Sequence, residues 1–259
     1  MAFIPIIEQT YFANARHWGT LNASLSHVGS IGAMKTGIDS ADLNMAWNET
    51  PLTPGDAGTI EDIKQSFYKD NLPFWWWVFP VAKSPTTLSM LQTQGFTLVE
   101  RIPCMLADTA NLPIHASRNR AITVTLINTL EDLRRWEEVS FTGFDFPPET
   151  RRQYRRFVDT FQLAPESPQK FFLACINDKP VATSLLFMHE NAGGIYFVTT
   201  LAEERGKGIG LEITQATMRF AKMAGARYAT LQSSPDGLPV YQRAGFREYC
   251  LVDVYGLTP

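Results

Sequence analysis

Thirteen residues of this chain occur twice: SPTTLSMLQTQGF runs from 84 to 96, and SPDGLPVYQRAGF from 234 to 246. Six of the thirteen positions agree: Ser84/Ser234, Pro85/Pro235, Leu88/Leu238, Gln92/Gln242, Gly95/Gly245 and Phe96/Phe246, at a constant offset of 150 residues. At the same offset AWNET (46–50) falls on YFVTT (196–200), and GDAGTI (55–60) falls on RGKGIG (205–210). IEDIKQSFYKD falls on the pattern that follows RGKGIG, and WWWVFPVAKS on RYATLQSS. Several elements aligning without a gap mark an internal repeat. Such a chain folds as two related units, and 259 residues accommodate two of ordinary size.

The second half carries the clearer pattern. ITVTLI (122–127) reads as a strand, with helical patterns around 129–140 and 149–161. The second of these, ETRRQYRRFVDTF, reads as a solvated arginine-rich face. KFFLACIN and KPVATSLLFMHE are two strands whose tight turn, Asn177-Asp178-Lys179, makes them antiparallel neighbours. GGIYFVTT is a further strand. Beyond RGKGIG, residues Ile209, Ile213, Ala216, Phe220 and Ala224 fall on one helical face, and Gly225 ends the helix. RYATLQSS, a short helix to Gly245 and the strand FREYCLVDVYGL complete the order β-α-α-β-β-β-α-β-α-β. Hairpins mixed with single crossovers indicate an α+β (mixed α/β) fold, a largely antiparallel sheet with helices against it. The polar, proline-containing stretch NLPIHASRNRA (111–121) is the expected linker, dividing the chain into residues 1–116 and 117–259.

RGKGIG sits between a strand and a helix. The first N–H groups of a helix lack internal partners, and the helix dipole adds partial positive charge there. Glycines admit positive φ and close backbone approach, so the loop suits a pyrophosphate, with Arg205 and Lys207 adding charge. The Walker A pattern is absent. The G-x-G-x-x-G fingerprint of dinucleotide folds belongs to an early βαβ unit, whereas Gly206, Gly208 and Gly210 follow hairpin-linked strands late in the chain.

Arg205 to Gly210 fits [QR]-x-x-G-x-[GA], the acetyl-CoA signature of the GNAT (general N-acetyltransferase) superfamily. With VTT before it and Y-x-x-x-G-F (Tyr241 to Phe246) after the next strand, residues 120–259 resemble one whole domain of that family. The chain as a whole resembles tandem GNAT proteins whose first half is truncated and degenerate. The resemblance implies that the backbone of Val198, Thr199 and Thr200 holds the pantetheine arm of acetyl-CoA. It further implies that Arg205, Gly206, Lys207, Gly208, Ile209, Gly210 and Leu211 hold the pyrophosphate. The strands GGIYFVTT and RYATLQSS diverge around the thioester, with Ser233 and Ser234 at the mouth; Ser234 binds there or caps the following helix. A backbone N–H near Val198 or Thr199 stabilises the developing oxyanion. Tyr241 protonates the departing thiolate. The loop SFTGFDFPPE (140–149), with Phe141, Phe144 and Phe146, borders the acceptor. In the first copy Leu91 stands for Tyr241, Gly55 for Arg205, Asp56 for Gly206 and Ile60 for Gly210, so residues 1–116 are not expected to bind CoA.

The base is less evident. An alkyl amine of pKa about 10.4 is neutral only about once in 2,500 at pH 7, yet neither site strand carries an acid. Glu190, His189, Asp145 and Glu203 are nearby in sequence, and a water chain or an amine of low pKa removes the need. The expected activity is acetyl transfer to a primary amine of a small molecule or peptide; the alternative is an acyl-CoA-binding regulatory protein that has lost catalysis.

With 19% charged residues, net charge −3 and no basic run, the chain shows no nucleic-acid face. LPFWWWVFPVA is about half a membrane span and reads as a buried strand. MAFIPIIEQTYFANARHW lacks the pattern of a signal peptide. With three widely spaced cysteines, Cys104, Cys175 and Cys250, this points to a reduced, cytoplasmic protein. No metal-ligand spacing occurs, and monomer and homodimer both remain open.

Overall fold

The computed structural model describes residues 3–112 and 121–257. Its elements run α1 (Ile4–Leu21), β1 (Ser26–Val28), β2 (Ile31–Met34), β3 (Met45–Asn48), α2 (Ala57–Lys69), β4 (Trp75–Val78), α3 (Pro85–Thr93) and β5 (Phe96–Asp108). They continue as β6 (Ile122–Leu126), α4 (Leu130–Gly143), α5 (Arg151–Val158), β7 (Gln169–Ile176), β8 (Lys179–His189) and β9 (Ala192–Thr200). Last come α6 (Ile209–Met223), β10 (Tyr228–Gln232), α7 (Leu238–Ala244) and β11 (Arg247–Leu257). From β6 onward this is the order expected from the sequence. Of the expected linker, residues 113–120 lie outside the described residues.

Contacts divide the chain into two compact units that are discontinuous in sequence. The first holds Met1–Pro103, Arg152–Thr160 and Cys250–Pro259; the second holds Cys104–Arg151 and Phe161–Tyr249. The division therefore follows packing and not one cut in the linker.

In the first unit β1, β2 and β3 form an antiparallel run, β3 pairs parallel with β4, and β4 pairs antiparallel with β11 through Val78↔Asp253 to Trp75↔Gly256. The WWWV run is a buried strand, as expected, with three of its four residues buried. Around it Phe67 stacks on Phe74 at 4.1 Å, and Trp76 Nε1–H donates to Asn48 Oδ1 at 2.9 Å. β11 is fixed there by buried Asp253, which faces Lys83 at 2.5 Å and Arg101 at 3.3 Å. A buried carboxylate needs such partners.

In the second unit β5 (from Cys104), β10, β9, β8, β7 and β6 lie in that order, with β10 and β9 parallel and the other neighbours antiparallel. The β7–β8 turn places Asn177 and Asp178 at φ +48° and +64°, the left-handed pair that a two-residue hairpin demands. One face of this sheet packs on α6: Ala229 and Leu231 of β10, Ile195 of β9 and Leu186 of β8 share a core with Ile209, Ile213 and Ala221. The opposite face packs on α4, where Trp136 meets Phe171 at 5.5 Å. Each unit thus takes its final strand from the other half of the sequence: β4 is completed by β11, and β10 by β5.

Candidate active site

The site lies in the second unit and begins where β9 and β10 part. Their ladder consists of Tyr228↔Ala192, Ala229↔Gly193 and Thr230↔Gly194. Beyond Thr230 the strands run on without pairing, which leaves the slot expected from the sequence.

Opposite the slot β9 is bulged. It pairs with β8 at Thr183↔Thr199 and again at Leu185↔Tyr196, so Phe197 and Val198 face Ser184 alone. Phe197 sits at φ +51°, a left-handed conformation that a bulky side chain rarely adopts. Buried side chains hold it there. Thr183 Oγ1–H donates to Phe197 O at 2.8 Å, and Trp136 Nε1–H donates to Ser184 O at 3.3 Å. The extra residue also changes which side chains share a face. Val198 joins Ile195 against the α6 core, whereas Phe197 projects toward α4 and the Tyr196 ring lies over Gly194 on the face away from α6. The Tyr196 hydroxyl lies 2.6 Å from where a Cβ on Gly194 would be, and the Phe197 ring meets Trp136 at 5.5 Å and Phe144 at 5.7 Å. Burial holds the Tyr196 phenol far above the usual range, so it stays protonated.

The glycine loop follows β9. Gly206 and Gly208 take φ +77° and +82° with open space where a Cβ would stand, and no side chain caps α6. Glu212 N–H is the first to bond back, to Gly208 O at 3.1 Å, so the N–H groups of Ile209, Gly210 and Leu211 have no intrahelical acceptor. Arg205 serves the loop itself: its Nε and Nη2 donate to Thr200 O and Gly143 O, each at 3.0 Å. Lys207 pairs with Glu204 at 2.8 Å. A Cβ on Gly210 would stand 3.7 Å from Thr200 Oγ1 and 3.9 Å from Val240, which brings loop, β9 and α7 together. The uncapped, glycine-opened helix end fits a pyrophosphate.

Tyr241, on α7, packs against the same core as Val198 and Leu211. Its ring passes 2.7 Å from the Cβ position of Gly237, where the hydroxyls of Ser234 and Ser233 lie at 3.2 and 3.4 Å. Any side chain at 237 would displace the ring. Burial pushes the phenol up to about 12. Ser234 Oγ accepts Gly237 N–H at 3.2 Å, and α7 starts only at Leu238; the equivalent Ser84 caps α3 directly through Thr87 N–H at 3.0 Å. Thr199 lies against the end of α4, close to Gly143.

The candidate bases separate. His189 and Glu190 lie at the closed end of the β8–β9 hairpin; from 190 to 197 is about 23 Å of extended chain, which removes them from the slot. Glu203 is exposed and faces Lys179 at 4.0 Å. Asp145, at φ +56°, is exposed on the α4–α5 loop beside Phe144 and Phe146. Sequence reasoning missed Phe197, Tyr196, Thr183 and Trp136. No residue-type signal marks a bulge at a phenylalanine.

The first unit offers a direct contrast. Ile31↔Asn48 to Met34↔Met45 pair without a bulge. Where the second unit has its glycine loop, Thr53 and Asp56 form a capping box, with Thr53 N–H and Oγ1–H donating to Asp56 Oδ2 at 2.7 and 2.8 Å. Asp56, which the 150-residue offset sets against Gly206, is thus committed to this cap.

Residues 130–246 match the family model described as acetyltransferase (GNAT) family. Over those residues the chain matches the acetyltransferase (GNAT) family. GNAT structures match nearly all of the chain. A GCN5-related N-acetyltransferase from Kribbella flavida is 20% identical, with 96% of this chain and 95% of that one covered at TM-score 0.73. One from Sphaerobacter thermophilus is 18% identical, covering 89% and 78% at TM-score 0.64. A tandem GNAT protein from the clavulanic acid biosynthesis pathway is 12% identical, covering 88% and 79% at TM-score 0.58. No curated protein sequence matches the chain. Among the described residues no helix is long and apolar enough to cross a membrane.

Proposed function

We propose that the second unit is an acetyl-CoA-dependent N-acetyltransferase acting on a primary amine by direct attack in a ternary complex. The observation that carries this reading is the bulge at Phe197 and Val198, set beside an uncapped glycine-opened helix end. Bound acetyl-CoA supplies the acetyl thioester. The N–H groups of Ile209, Gly210 and Leu211 hold the pyrophosphate, and the unpaired edge of β9 from Val198 to Thr200 holds the pantetheine amides. The N–H of Val198, which the bulge leaves outside the paired register, donates to the acetyl oxygen as charge develops there.

The C–N bond forms as the C–S bond breaks; the attacking nitrogen releases a proton to solvent, and CoA leaves as the thiolate, which takes its proton from solvent. A phenol at about 12 lies roughly 3–4 units above an ordinary thiol, and complete transfer from it would cost about 5 kcal/mol. Tyr241 therefore keeps its proton and donates a hydrogen bond to the departing sulfur. No carboxylate stands on β9 or β10, so the acceptor ammonium loses its proton to solvent. That absence also favours the second reading, an acyl-CoA-binding protein without catalysis.

Calorimetric titration of acetyl-CoA into the wild type, Tyr241→Phe and Gly208→Asp separates the outcomes. Binding by the first two alone, with thiol release on adding amines, supports the transferase. No binding at millimolar acetyl-CoA removes it, and binding without transfer to any amine leaves the second reading.

A further inference from the structure

Two polar groups on β10 are buried without a partner at the place where the ladder opens. Thr230, 1% exposed, is the last residue paired to β9, and its Oγ1 has no hydrogen-bond partner among the described residues. Gln232, half-buried and two residues further, has its Nε2 buried in the same condition. Ala229 and Leu231 point into the α6 core, so by strand alternation Thr230 and Gln232 point to the other face, the one that carries Tyr196 and Phe197. Buried polar atoms in folded proteins almost always have a partner, and unpaired ones ask for a water or a ligand. These two stand about 7 Å apart along one strand, at and just beyond the last pair of the β9–β10 ladder.

We propose that Thr230 Oγ1 and Gln232 Nε2 form an acceptor subsite that reads an uncharged oxygen on an amine with an apolar body. The proposal rests on the transferase reading and deepens it. Gln232 Nε2 is a donor, so the ligand presents an accepting oxygen; Thr230 either donates or accepts. The oxygen is neutral because the sheet neighbours on this face, Leu106, Cys104, Leu185 and Phe187, carry no charge to pair a carboxylate. The Tyr196 phenol, held protonated, adds none. The apolar body follows from the wall across the slot. Phe197 and Phe144 meet edge to face, and Phe144 remains 42% exposed beside the bulge. A hydroxylated arylalkylamine satisfies both requirements.

The test compares three amines in a thiol-release assay: 2-amino-1-phenylethanol, 2-phenylethylamine and phenylalanine. A site built to bond an oxygen leaves its own polar groups unpaired when the oxygen is missing, and so rejects the analogue. The wild type should prefer the amino alcohol over phenylethylamine by about ten-fold or more in kcat/KM, with phenylalanine poorest. In Thr230→Val and in Gln232→Leu the preference for the hydroxyl should shrink to within about three-fold, with the KM for acetyl-CoA unchanged. Equal use of the amino alcohol and phenylethylamine by the wild type overturns the proposal alone, as does a preference that survives both substitutions. Bound acetyl-CoA with no acetylation of any of the three overturns the proposal; the transferase reading falls with it only if a broad panel of other primary amines also goes unacetylated.

Discussion

Thr183→Val tests whether the bulge is the working part of the site. The substitution keeps the shape of the side chain and removes the hydroxyl that Phe197 O accepts at 2.8 Å. Thr183 is fully buried, so water does not replace the bond. A buried carbonyl left unpaired costs about 1–3 kcal/mol. At roughly 2–4 °C per kcal/mol for a chain of this size, Tm should fall by about 2–12 °C. The lost bond also stands against backbone strain, because a left-handed phenylalanine costs about 1–2 kcal/mol. Without it β9 gains by relaxing toward a regular ladder, and a slip of one residue turns the Val198 N–H away from the slot. Loss of one oxyanion donor typically costs 10²–10³ in kcat; partial relaxation should cost at least about ten-fold. Thiol release gives kcat and the KM for acetyl-CoA, and denaturant unfolding gives stability. The expected pattern is a fall in kcat with KM within about three-fold, largely restored in Thr183→Ser. If Thr183→Val unfolds more easily yet turns over at the wild-type rate, the bulge is architecture only and the reasoning fails.

Three other expectations follow from the geometry. Gly208→Ala places a Cβ on a residue at φ +82°, which costs about 1–2 kcal/mol; calorimetry should show acetyl-CoA bound roughly ten-fold more weakly, and unchanged affinity would count against the cradle. Burial raises the Tyr241 phenol to about 12, so it stays protonated below about pH 10, and kcat/KM should climb with pH as the amine loses its proton, with a similar rising limb but lower kcat in Tyr241→Phe. By the same shift the folded state should lose stability above about pH 10, where the unfolded phenol ionises first; a falling rate limb near pH 8–9, absent from Tyr241→Phe, would show the phenol ionising early. Asp56→Ala should destabilise by about 0.5–2 kcal/mol through its lost cap, and the full chain should bind one acetyl-CoA; a stoichiometry of two would overturn the contrast between the units.

What was legible in the sequence was whatever residue type decides locally. Asn177-Asp178 dictates its turn, Gly206 and Gly208 announce positive φ, and Ser84 with Pro85 starts α3. The same signal in the second copy misplaces a boundary, since Ser234 is present but α7 begins three residues late, at Leu238, after Asp236 and Gly237. The bulge was not legible, because its cause is tertiary: a threonine on one strand and a tryptophan on a helix hold a phenylalanine where its own preferences would not put it. His189 and Glu190 were near the site in sequence but not in space, because a hairpin carries its turn away from its ends. Thr230 and Gln232 read as ordinary strand residues until the ladder's end is known.

The exchange of final strands gives the first repeat a reason to persist. With Asp56 and Ile60 where the second copy has Gly206 and Gly210, and Leu91 where it has Tyr241, it is expected to bind no CoA. Yet the strand that flanks β10, on the side away from the slot, is β5, drawn from that first repeat. The slot's outer wall is thus lent by the silent copy, and the silent copy's β4 leans in turn on the last residues of the chain. A cut at the linker would therefore strip β10 of β5 and β4 of β11, so each half expressed alone should lose an edge partner of its sheet.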